Sequence, residues 1–195
     1  MSTINLRPWQ AACANKAMDW LQSGEDSHFL INAAPGAGKT ICASVIAQRL
    51  FDAHMIDRVI VIAPRKTVVN QWGDEFKFVT GRSMLKITGA DEEPEEYGAD
   101  LCATWSAVQG SLDGLQAVCR KDRTLVICDE HHHAAVEAAW GDGANGAFAN
   151  AKFALILTGT PIRSDGKEAV WLAYDGQGQI DHPESGSYTH RPARR

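Results

Sequence analysis

The stretch Ala33-Ala34-Pro35-Gly36-Ala37-Gly38-Lys39-Thr40 limits what this chain can fold into more than any other. It follows the apolar run Phe29-Leu30-Ile31 and precedes the helix-forming run Ile41-Cys42-Ala43-Ser44-Val45-Ile46-Ala47. Strand, glycine-bearing loop and helix, in that order, is the setting in which a Gly-Lys-Thr loop binds phosphate. Gly36 and Gly38 let the backbone turn tightly, so that N–H groups of Gly36, Ala37 and Gly38 can face one anion. A helix opening near Lys39 adds the positive end of its dipole at the same point. Lys39 then places a charge on the outer phosphates of a nucleotide, and the Thr40 hydroxyl holds a magnesium ion. One departure stands out, since the usual first glycine of such a loop is Ala33 here. The competing reading is an ordinary strand–turn–helix with a surface lysine.

At 195 residues the chain is most simply one domain with a substantial core. A net charge of −5 excludes a generally basic nucleic-acid coat protein and leaves room only for a local basic patch. The five cysteines, Cys13, Cys42, Cys102, Cys119 and Cys128, are scattered through apolar runs without a Cys-x-x-Cys pair. They read as reduced core residues. The N-terminus lacks the apolar centre of a signal peptide, and no stretch approaches the ~18 apolar residues of a membrane span. A cytoplasmic protein without membrane contact is the expectation.

Along the chain, apolar positions at helical spacing (Trp9, Cys13, Ala17, Trp20, Leu21) predict a helix within residues 5–23, with Pro8 in its first turn. Arg58 to Ala63 is a β-branched run of the kind a doubly covered parallel strand needs. Lys66 to Phe78 reads as a helix with Val69, Trp72 and Phe76 on one face. Strands follow at 83–88 and 100–104, with a solvated acidic loop (Asp91-Glu92-Glu93-Pro94-Glu95-Glu96) between them. Trp105 to Arg120 reads as a helix interrupted by glycines, Thr124 to Cys128 as a second buried strand, and 134–151 as one or two loose helices. Phe153 to Leu157 is the last clear strand. Residues 164–195, rich in glycine and polar side chains, read as a tail. Strands alternating with helices predict an α/β fold with a doubly wound, mostly parallel sheet and helices on both faces. Ligands gather at the carboxyl ends of strands in such sheets. The phosphate loop, Pro64-Arg65, Asp129-Glu130 and Thr158-Gly159-Thr160 all fall at predicted strand ends.

Asp129-Glu130 suits the second half of a nucleotide hydrolase. Asp129 can hold Mg²⁺ directly or through its water shell, and Glu130 can polarise the attacking water. Neighbouring strand residues point oppositely, so both can face one ligand only where the strand is ending. The competing reading is a solvated acidic pair.

With these residues in hand the chain resembles the first motor lobe of a superfamily-two helicase or translocase of the DExH kind, restriction-type and DEAD/DEAH-like. The matching segments are Leu6-Arg7-Pro8-Trp9-Gln10, Ala34 to Thr40, Ala63-Pro64-Arg65, Ala103-Thr104-Trp105, Asp129-Glu130-His131-His132 and Leu157-Thr158-Gly159-Thr160-Pro161. They span residues 6–163 in the family's order. The resemblance implies a RecA-like P-loop NTPase domain over residues 1–165, with 166–195 an irregular tail or the start of an interlobe connection. It implies ATP and Mg²⁺ as cofactors, and Gln10 as the residue that recognises adenine. By itself, Gln10 reads as an exposed helix residue. Pro64, Arg65 and Thr104 would touch a nucleic-acid backbone, DNA being slightly preferred to RNA. His132, Thr158 and Thr160 would couple hydrolysis to movement.

Helicases of this kind place ATP between two lobes, and the second supplies arginine fingers. No second lobe follows in this sequence, so it is expected in a missing C-terminal region or on another chain. Slow hydrolysis without unwinding is the expectation for the lobe alone. The alternative is a non-motor nucleotide-binding or interaction module derived from such a lobe. A metabolite kinase would not require the Asp-Glu-His-His and Thr-Gly-Thr-Pro segments. Three consecutive histidines cannot easily converge on one ion, so His131-His132-His133 is not expected to hold a structural metal.

Overall fold

The computed structural model describes residues 4–34, 36–89, 99–110, 112–129, 150–159 and 186–190. Within them the chain runs α1 (Pro8–Ser23), β1 (His28–Asn32), α2 (Lys39–Asp52), β2 (Arg58–Ala63), α3 (Lys66–Thr80), β3 (Met84–Ile87) and β4 (Asp100–Thr104). It continues with α4 (Trp105–Gly110), α5 (Leu112–Lys121), β5 (Thr124–Asp129), β6 (Phe153–Thr158) and β7 (Ser187–Thr189). The strands form one sheet in the order β3-β4-β2-β5-β6-β1-β7, and every pairing in it is parallel. The expected α/β architecture is therefore observed.

Composition explains which strands are central. β2, β4, β5 and β6 are buried along their whole length, as strands covered on both faces must be. Alternate residues divide between two apolar clusters. Val59, Val61, Leu125 and Ile127 meet α1, α2 and α3 through Cys13, Ile46, Val69, Trp72 and Phe76. Ile60, Ile62, Val126 and Cys128 meet α4 and α5 through Val108, Leu115 and Val118. This is the period-two alternation of a strand, read out as two hydrophobic layers.

Parallel strands bring their carboxyl ends to one rim. β1 and β5 are separated by β6 alone, a lateral gap of about 10 Å at two strand spacings. The loop after β1 and the acid at the end of β5 thus face each other across one strand.

The glycine-interrupted helix expected over 105–120 is described as α4 and α5, on either side of residue 111. One element differs from the sequence reading. The stretch expected to be an irregular tail contributes β7, which pairs with β1 from Leu30↔Ser187 to Asn32↔Thr189. Ser-Tyr-Thr carries no apolar run. The strand exists because edge pairing supplies backbone partners: Leu30 N–H donates to Gly186 O (2.9 Å) and His190 N–H to Asn32 O (2.8 Å). Trp9 then stacks on His190 at 4.8 Å between ring centres. Residues 134–149 of the expected 134–151 helices and the acidic run 91–96 lie outside the described residues, and 150 and 151 are not helical.

Candidate active site

The loop after β1 takes its shape from two positions. Gly36 (φ 73°) and Gly38 (φ 97°) are left-handed, a conformation that costs an L-residue roughly 1–2 kcal/mol. Ala33 needs no such backbone. Its N–H donates to the carbonyl of Thr158 at the end of β6 (3.0 Å), and its own carbonyl accepts from Lys39 Nζ (2.7 Å). Alanine at the loop's first position is therefore compatible with the turn. Gly38 is the N-cap of α2, so Lys39 and Thr40 occupy its first turn, where backbone N–H groups lack helical acceptors. The Lys39 side chain is buried against the loop, and incoming phosphate oxygens would compete with Ala33 O for its protons.

Asp129 is the last residue of β5, on the same side of the strand as Leu125 and Ile127, facing α3. Its carboxylate Oδ2 accepts from the Trp72 indole N–H at 2.8 Å, and its main-chain oxygen accepts from the Trp105 indole N–H at 3.4 Å. Burial, and then the neighbouring Asp129 charge, push the Cys128 thiol well above its ordinary range, and Cys102 likewise.

Lys39, Thr40 and Asp129 line one cleft of about 380 Å³ together with Gly36, Gly38 and Pro64. Its outer wall is the α3 face bearing Val68, Gln71 and Glu75. A hydroxyl and a carboxylate are hard oxygen donors. That set suits Mg²⁺, which takes one or two protein oxygens and completes its shell with water and phosphate. Among the described residues no three of His, Cys, Asp and Glu gather as a metal cluster.

A second recess of about 340 Å³ abuts the first around Gly38 and Ile41, and it is lined by Arg7, Gln10 and Phe78 among others. Gln10 is only 4% exposed, which corrects its bare-sequence reading as an exposed helix residue. Its Nε2 donates to Gly38 O (3.0 Å) and its Oε1 accepts from Arg7 N–H (2.9 Å), so the amide clamps the loop to α1. Phe78 is 64% exposed, a large apolar ring left in solvent at the mouth of this recess.

Residues 3–163 match the family described as "Type III restriction enzyme, res subunit". The chain belongs to that family. A mycobacterial relative, an uncharacterised protein of Mycobacterium leprae (strain TN), is 33% identical to this restriction-subunit member over 189 residues, covering 92% of this chain and 30% of that protein. The chain thus spans about a third of that relative's length. The type ISP restriction-modification enzyme LlaGI, solved with a DNA substrate mimic, superposes with a TM-score of 0.63 at 14% identity, over 94% of this chain and 19% of that one. The Hef helicase domain of Pyrococcus furiosus superposes with a TM-score of 0.55 at 25% identity, over 76% and 33%. Family and fold together are those of the N-terminal RecA-like lobe of superfamily-two helicases. Among the described residues no helix is long and apolar enough to cross a membrane.

The remaining sequence candidates are placed less uniformly. Pro64 lines the cleft, whereas Arg65 is the exposed N-cap of α3. Thr104 is buried at the end of β4. Its hydroxyl accepts from Ala107 N–H (3.2 Å), which caps α4. Thr158 is buried beside the loop it bonds. Glu130, His132 and Thr160 lie outside the described residues. Sequence reasoning missed Phe78 and the Trp72 bond. Trp72 was legible as buried, and a buried indole N–H calls for a partner, but nothing local names Asp129 as that partner.

Proposed function

We propose that the chain binds and hydrolyses ATP as the N-terminal lobe of a nucleic-acid translocase or helicase. The observation that carries this is the shared cleft of Lys39, Thr40 and Asp129. In this reading the α2 N-terminus and the backbone of Gly36 to Gly38 hold the phosphates, and Lys39 orients the outer ones. Thr40 and Asp129 would hold Mg²⁺, which when bound would supply positive charge to offset that of the phosphates. Glu130, just past the end of β5, orients the attacking water and takes its proton. Adenine occupies the second recess, with Gln10 at its edge and the Phe78 ring against its face.

Nucleic acid, DNA before RNA, contacts the rim through Pro64, Arg65 and the Thr104 segment; the LlaGI complex with a DNA mimic supports that choice. His132, Thr158 and Thr160 transmit the state of the nucleotide. The Ala33–Thr158 backbone bond supports this for Thr158. A second lobe supplies the arginine that completes catalysis, so the isolated lobe turns over slowly and does not unwind duplexes.

Steady-state ATPase assays with and without single- and double-stranded DNA and RNA test the proposal. Turnover stimulated by nucleic acid, and lost in Lys39→Ala and Glu130→Gln, is the expected result. Turnover no higher than in Glu130→Gln under every condition would overturn it.

A further inference from the structure

We infer that Trp72 is a positioning residue for Asp129, and that through it the nucleic-acid rim of the lobe is tied to its metal site. The inference rests on the reading of Asp129 as a magnesium ligand. Trp72 is fully buried and Asp129 nearly so, and the indole N–H reaches Oδ2 at 2.8 Å. A hydrogen bond from a neutral donor to a carboxylate is among the strong ones, and burial strengthens it further. Fixing Oδ2 fixes the plane of the carboxylate, and with it the place where the other oxygen stands in the cleft.

A bland account would have Trp72 simply satisfying its own N–H in the core. Two features speak against that. Among the described residues, the partner is the one carboxylate of the cleft that stands at a strand end, opposite the phosphate loop. That residue is also held from the other face of the sheet, where the Trp105 indole donates to its main-chain oxygen at 3.4 Å.

Chain connectivity gives the arrangement its consequence. Trp72 lies two turns into α3, whose N-cap is Arg65, and Trp105 directly follows Thr104. Each segment proposed to touch the nucleic-acid backbone is therefore followed by an indole that bonds Asp129. A phosphate taken up by Arg65 draws on the start of α3. A helix moves as a rigid unit, so Trp72 and the carboxylate move with it.

The test uses the 195-residue chain, ADP, and Mn²⁺ as a paramagnetic stand-in for Mg²⁺. Mn²⁺ affinity is read by electron paramagnetic resonance, and ADP affinity is measured separately in EDTA. Trp72→Phe removes the N–H. Replacing the indole with benzothiophene, where sulfur stands in place of the N–H, removes the donor while keeping the bulk, so a poorly folded Phe variant does not decide the matter.

Both changes are expected to weaken Mn²⁺ binding about tenfold or more, the usual effect of losing a partner of a metal ligand, with ADP affinity in EDTA within about twofold of wild type. Single-stranded DNA should shift Mn²⁺ affinity in the wild type and not in the benzothiophene variant. Asp129→Asn separates the two levels of the argument. If it abolishes Mn²⁺ binding while both Trp72 variants bind like wild type, the positioning role is overturned and the metal reading stands. If Asp129→Asn leaves Mn²⁺ binding unchanged, the metal reading itself falls. Equal losses in Mn²⁺ and metal-free ADP binding would reduce Trp72 to a core residue, and an equal DNA shift in wild type and variant would remove the coupling.

Discussion

Gly38 is constrained in two independent ways. Its φ of 97° is left-handed, and a Cβ there would stand 2.6 Å from Gln10 Nε2. Gly38→Ala should therefore cost about 1–2 kcal/mol of stability in urea unfolding and dislodge the Gln10 amide. Nucleotide affinity should fall with it. Ala33 makes the opposite prediction. Its backbone is ordinary and pinned by Thr158 O, so Ala33→Gly should restore nothing. Calorimetric titration should find nucleotide affinity unchanged within about twofold, and unfolding should show a loss of about 0.5–1 kcal/mol from added chain entropy. A several-fold gain in affinity would contradict this account of the loop. The sequence alone marked Ala33 as a departure because the strict pattern is written in residue types. What the position needs is a φ and two bonds, and one of those comes from β6, far along the chain.

Among elements, α3 shows best where legibility ends. Its buried side, Val69, Trp72 and Phe76, follows from helical spacing and is observed. Its other side, Val68, Gln71 and Glu75, becomes the wall of the cleft only because α3 packs beside α2, which no local pattern announces. Phe78 belongs to the same case. Its exposure was invisible in a run that merely looked helical. Phe78→Ala should leave unfolding stability within about 0.5 kcal/mol, as for an exposed side chain. It should weaken ATP about three- to tenfold, the worth of one aromatic contact, while tripolyphosphate, which has no base, binds unchanged. An equal loss for both ligands would remove Phe78 from base recognition. β7 was illegible for another reason: three residues held at a sheet edge leave no periodicity to read.

At the scale of the whole molecule, the buried parallel sheet decides both stability and site. All five cysteines are buried, and burial raises the Cys119 thiol to about 11 from its ordinary 9.0, with Cys102 and Cys128 raised further. A thiol held protonated in the folded state favours folding fully below pH 9. That contribution is lost as pH rises through the folded value, because the unfolded chain ionises first. The urea midpoint should therefore fall from about pH 9 upward, with the Cys119 share lost between about pH 9 and 11 and the more strongly raised thiols continuing the fall above it. Replacing Cys119, Cys102 and Cys128 with alanine should make the fall shallower, leaving the share of Cys13, whose thiol is raised by its Cys42 hydrogen bond and by burial. The same sheet places Lys39 and Asp129 on one rim with a single strand between them, and everything said of ATP depends on their holding one ligand. Calorimetric titration of ATPγS into wild type, Lys39→Ala, Asp129→Asn and the double variant, with Mg²⁺ and in EDTA, tests this most directly. The predicted result is that Lys39→Ala weakens binding in both conditions, Asp129→Asn weakens it only with Mg²⁺, and the two losses are not additive with Mg²⁺ present. Additive losses, or an Asp129→Asn defect that persists in EDTA, would contradict the shared site.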